Sequence, residues 1–195
     1  MHPPPSLTEI QISLMGAWRL FRRDPSGLAF LGKDEAAFWK SFWCAVVIAP
    51  AYIALLALVP DAVRIEASLA REVSVEVIAY AIGWAAWPLV VHAGFGVLGV
   101  RDKFIPYIVA YNWSAGPQVV LLLGIALVAV TFNLPLEAFG LLNLAALVWL
   151  LIYHGYIIRV TAQLDMAIVV FMVMGEAVLS YMITAARDLV MAGAF

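Results

Sequence analysis

Five continuous apolar stretches, near residues 38–59, 75–99, 104–132, 135–158 and 166–187, limit what this chain can become more than any other feature. Each is long enough for a helix to cross a bilayer core, which takes about 20 apolar residues. The runs do not alternate apolar with polar side chains, which removes a transmembrane β-barrel. In lipid the remaining way to satisfy every backbone N–H and C=O is a helix. The expectation is therefore an all-α integral membrane protein, a five-helix transmembrane bundle over residues 34–195 behind a cytoplasmic N-terminal segment, 1–33. Composition agrees, with 65% hydrophobic and 12% charged residues, where soluble domains carry about half and about a quarter. A formal net charge of −2 supplies no basic excess, so nucleic acid is not an expected partner.

Orientation follows from lysine and arginine. With the N-terminus in the cytoplasm, that side holds Arg19, Arg22, Arg23, Lys33, Lys40, Arg101, Lys103 and Arg159, and the far side holds Arg64, Arg71 and Arg187. That asymmetry predicts a cytoplasmic N-terminus and an external C-terminus. Phe38, Trp39, Phe42 and Trp43 flank Lys40 where the first span enters, as interfacial aromatic anchors do. No basic start leads into a short apolar run with a small-residue cleavage site, so the mature chain is expected to begin at Met1. Cys44, the one cysteine, allows no internal disulfide or zinc spacing and reads as a small buried hydrophobe.

Ahead of the first span, Ser6 and Glu9 fit a capping box. Leu7, Ile10, Leu14, Trp18 and Phe21 then recur at helical spacing, over about residues 6–23, before "DPSG" ends the run. Trp18, Arg19, Phe21, Arg22 and Arg23 would meet membrane lipid, with the arginines toward anionic headgroups. Packing on the chain's own bundle and contact with a protein partner are the other two readings. The external connector "PDAVRIEASLAREVSVE" reads as solvated chain, with a short amphipathic helix as the alternative. The turn "FNLPLE" is so short that spans three and four must be antiparallel neighbours.

Span three runs 29 residues from Phe104 to Phe132, about 43 Å as helix against about 30 Å of hydrocarbon. Gly116, Pro117 and Gln118 sit inside it, with Asn112 and Ser114 close by, and Pro117 predicts a kink or break. A broken helix at membrane depth can line a substrate site, as in transporters, and a plain proline kink is the other reading. Gly94, Gly96 and Gly99 match GxGxxG but lie inside a span, where small residues for close helix approach explain them better than a dinucleotide. No HExxH, GxSxG or paired acidic motif is present, so no enzyme and no catalytic residue is expected.

The sharpest single signal is Glu176 in "FMVMGEAVLSY". It lies about ten residues, so about 15 Å, into span five, where a charge costs at least about 2.5–3.5 kcal/mol. It should face the bundle. His92 in span two and Asn112 in span three come out about 12 Å deep, Asn143 and His154 share a face of span four, and Ser180 follows Glu176 by one turn. These six residues form the expected intramembrane cluster, either a hydrogen-bonded device fixing helix register or a protonatable transport site. Two histidines also suggest haem, but their depths differ by about 6 Å, and neither cofactor nor metal is expected.

A cytoplasmic segment followed by five closely spaced spans and a short external tail resembles the Yip-domain family of membrane proteins. The stretch "AWRLFRRDPSGLAF…AFWKSFW" leading into span one is similar to small proteobacterial membrane proteins. The family's cytoplasmic DLYGP signature has no counterpart here, so the likeness is one of layout and does not extend to a Rab-GTPase partner. The resemblance implies the inner membrane of a bacterium and a role in membrane organisation or partner binding. The leading expectation is thus a non-enzymatic scaffold or accessory subunit with a protein partner or a second copy of itself. The alternative is a small proton-coupled transporter or channel built on the Glu176 cluster and the broken third span.

Overall fold

The computed structural model of the chain describes residues 3–58, 65 and 67–193, and the described residues form helices and turns without a strand. Met1, Arg64, much of the external connector and the last two residues lie outside the described residues. Helix α1 spans Leu7–Phe21, followed by a 3-10 turn Pro25–Phe30, α2 Glu35–Ser41 and α3 Trp43–Ala57. Then come α4 Leu69–Val97, a short 3-10 turn Arg101–Lys103, α5 Phe104–Thr131, α6 Leu136–Ala162 and α7 Met166–Met191. Among the described residues five segments are long and apolar enough to cross a membrane: Glu35–Ala57, α4, Arg101–Thr131, α6 and α7.

The expected spans are recovered with shifted ends. The first is two helices, α2 and α3, that meet at Phe42. Span two begins at Leu69 rather than 75, because the Ser68 hydroxyl caps it by accepting the Arg71 N–H. Span four continues to Ala162, where Gln163 turns left-handed with φ 56° and ends it. The break expected at Pro117 is absent, since α5 is one helix of 28 residues. Proline costs one donor, the one that Trp113's carbonyl would have received, and α1, α3 and α6 packed along α5 hold the helix together around that gap.

α5 is the centre of the bundle. Of its most apolar window 28% is buried, against 11–17% in the other four spans. α3 and α6 pack on it, and α7 packs on α6 and α4. Ile108 and Trp113 of α5, Tyr153 and Ile157 of α6, Phe95 of α4 and Val169 of α7 share one buried core. The outward faces stay apolar: Ile53, Val77, Leu89, Leu141, Phe171 and Met182 are 61–77% exposed. So much large apolar side chain turned outward on every span is what a lipid-solvated surface requires.

α1 begins with the expected capping box, the Ser6 hydroxyl accepting from the Glu9 N–H while the Glu9 carboxylate accepts from the Ser6 N–H. Its inner face packs on the chain's own bundle. Ala17 and Leu20 are fully buried there, and the Tyr153 hydroxyl donates to the Ala17 carbonyl. The Pro25–Phe30 turn folds back across α1 where Gly16 and Gly27 meet. Four of the five residues expected at lipid or a partner are engaged within the chain. Phe21 sits edge-on to Tyr153 and stacks on Trp18, Arg19 lies over Phe30, and Arg23 lies over Trp149. Trp18 and Arg22 remain exposed, with Leu7 and Met15 beside them on an uncovered outer face.

The glycines of "GFGVLG" do not bring helices together. A side chain on Gly94 would meet nothing, and Gly99, at φ 71°, forms the left-handed turn that closes α4.

Candidate functional site

α6 and α7 are joined by only three residues, so they run antiparallel and bring equal depths face to face. His154 lies eight residues before the end of α6 and Glu176 ten residues after the start of α7, about 12 and 15 Å from the shared turn. They meet. His154 Nδ1 is 2.5 Å from Glu176 Oε2, and Glu176 is 7% exposed. α5 supplies the other partners from one face, since Tyr111, Ser114 and Gln118 are spaced three and four apart. The Tyr111 hydroxyl donates to Glu176 Oε1 at 2.9 Å. Gln118 Nε2 lies 3.0 Å from both Ser114 Oγ and His154 Nε2.

The Gln118 amide nitrogen, placed between them, gives one hydrogen to Ser114 Oγ and one to His154 Nε2. The tautomer with the ring proton on Nδ1, toward the Glu176 carboxylate, suits that placement. Ser114 passes its own hydrogen to the Tyr111 carbonyl at 2.6 Å. In this arrangement each donor has an acceptor.

Glu176, His154, Tyr111 and Gln118 border a cavity of about 390 Å³ that reaches toward the end of the bundle away from α1. Tyr52 of α3 and Tyr80, Trp84 and Trp87 of α4 form its aromatic walls. Arg187 stands at the far end, eleven residues and about 16 Å beyond Glu176. Its guanidinium is 3.4 Å from Glu76 of α4 and 2.8 Å from Asp188. The Tyr52 hydroxyl donates to Glu76 at 3.1 Å. All five spans line this space.

Of the six residues expected together, Glu176 and His154 are in direct contact, and Asn112 and Ser180 line the same cavity. Asn112 is fully buried and donates to Ser41 of α2, while its Oδ1 has no hydrogen-bond partner. His92 is elsewhere, exposed with its ring edge-on to Phe104. It sits about 100° around α4 from Val91, on the buried stripe Trp87–Val91–Phe95. Asn143 donates to Phe139 of its own helix. Eleven residues separate it from His154, about 16 Å along the axis, so sharing a face does not bring the two together.

Gln118 belongs to the site as a ligand of His154 rather than as part of a helix break. Tyr111, Glu76, Arg187 and Tyr52 were not singled out by sequence. Tyr111 was within reach of such reasoning, standing beside Asn112 at the depth of Glu176. Among the described residues no cluster of His, Cys, Asp and Glu is arranged to hold a metal ion. No family model, curated protein or solved structure matches this chain.

Proposed function

We propose that this protein is a small proton-coupled carrier of the membrane, with the α1 end of the bundle in the cytoplasm. The observation that carries the reading is Glu176, bonded to His154 and Tyr111 at the edge of a cavity lined by all five spans. An ionisable residue at that depth is costly, and its usual use is a proton or substrate pathway. Register alone needs no cavity beside the carboxylate. A transported proton does, because it has to arrive and leave.

Glu176→Gln tests this. Glutamine keeps the shape and a hydrogen-bond acceptor but cannot exchange a proton. Vesicles holding the unmutated protein should carry a proton flux driven by an imposed pH difference, and Glu176→Gln vesicles should not. Absence of flux with the unmutated protein removes the reading.

Scaffolding is the second reading, supported by the uncovered outer face of α1 with Leu7, Met15, Trp18 and Arg22. Replacing Met15 and Trp18 by serine would then release a co-purifying partner while the bundle stays folded. Unchanged co-purification counts against it.

A further inference from the structure

We infer that the cavity beside Glu176 binds an organic cation, one with a substituted ammonium head and an apolar body, in exchange for a proton. This deepens the carrier reading by naming the class of its cargo and rests on it for the transport step alone. Two features of the cavity carry the inference.

The first is charge. Glu176 is the one acid among the described residues lining the cavity and is held there by His154 and Tyr111. Arg187, the lining base at the far end about 16 Å away, is already engaged by Glu76 and Asp188. The second feature is the wall. Tyr52, Tyr80, Trp84, Trp87 and Tyr111 all border the space, and ring faces attract cations most when water is excluded. Such a wall suits a weakly hydrated ammonium rather than a metal ion, which demands oxygen ligands in number. At about 390 Å³ the cavity is of ligand size.

Exchange follows from the count of charges. The Glu176 carboxylate can hold a proton or pair with a monocation, and holding both would add an uncompensated positive charge to a low-dielectric interior. Cation entry therefore expels the proton to water, and proton entry expels the cation.

Calorimetric titration of the purified protein in zwitterionic micelles tests this with benzyltrimethylammonium as probe and phenylmethanesulfonate as its anionic counterpart. The ammonium should bind, the sulfonate should not, and comparison of buffers should show release of up to about one proton per cation bound. Affinity should fall as the pH is lowered, through proton competition at the site. Glu176→Gln should weaken binding about tenfold or more, and Trp84→Leu should weaken it with Glu176 left in place. Equal binding of the sulfonate, undiminished affinity in Glu176→Gln, or no binding of the ammonium overturns the inference. Vesicle flux separates the two proposals. Proton flux without ammonium binding sinks the cargo and leaves the carrier, and binding without flux does the reverse.

Discussion

The Tyr153 hydroxyl donates to the Ala17 carbonyl oxygen at 3.1 Å, so the turn of α6 that holds His154 against Glu176 also seats α1. The N-terminal helix is thereby tied to the residue beside the buried pair. Leu14 adds to this from the same helix, since a side chain on Gly116 of α5 would come within 2.7 Å of its Cδ2. α1 thus packs along α5 and meets α6 at Tyr153, on the side opposite the cavity's far end.

The seat depends on Gly16 and Gly27. A Cβ on Gly27 would stand 2.4 Å from the Gly16 carbonyl oxygen and 2.9 Å from Leu20 Cγ. The first of these is backbone and cannot swing aside. Gly27→Val should therefore cost about 1–3 kcal/mol as an overpacked contact and lift the turn off α1. Trypsin reads the result, because Arg19, Arg22 and Arg23 lie in the loosened segment and their cleavage should accelerate. Gly140→Ala is the control, with nothing within 4 Å of its added carbon, and should leave cleavage unchanged.

α1 is also held to α2 by charge, with Lys40 Nζ 2.5 Å from Glu9 Oε1. The Lys40 hydrogen bond first, and then the Ser6 N–H, lower the Glu9 carboxyl from its ordinary 4.5 to about 2. A carboxylate lowered on folding contributes stability above its unfolded value, and loses it as pH falls through the folded one. The tie between α1 and α2 should accordingly be intact at neutral pH, weaken below about 4.5 and be gone near 2. Hydrogen exchange of the α1 amides should rise over that window. Lys40→Met should raise exchange at neutral pH and remove most of the acid dependence, since its bond is the largest cause.

Much of this architecture is legible in sequence, and the rest fails for a physical reason. Span number was readable from continuous apolar length, but with span four ending near 158 His154 came out shallower than Glu176, and the helix's continuation to Ala162 brings the two level. Rotation about each helix axis was not readable. Spans apolar on every side carry no stripe to mark the inner face, and His92, at a suitable depth on α4, turns away to Phe104. Pro117 was read as a kink or a break, and α5 runs through it as one helix with neighbours packed along it. The cavity's far end was invisible because Glu76 lies seven residues inside α4, whose start the sequence placed at 75. Arg187 had been read only as a charge at the end of a span.

The buried pair itself makes the last prediction. Removing His154 leaves Glu176 with the Tyr111 hydroxyl as its one remaining partner. Losing a hydrogen bond to a buried carboxylate costs about 1.5–3 kcal/mol, because the group stays desolvated without its donor. Gln118 loses an acceptor at the same time. His154→Ala should thus lower the melting temperature in detergent well beyond Glu176→Gln, which strands no charge. The double variant His154→Ala/Glu176→Gln should recover part of the loss, since a neutral amide is less costly than a carboxylate to bury without the imidazole donor and Tyr111 can still donate to its oxygen. Additive losses in the double variant would mean that the two residues are not energetically coupled, and the proton site would then have to be sought elsewhere in the cavity.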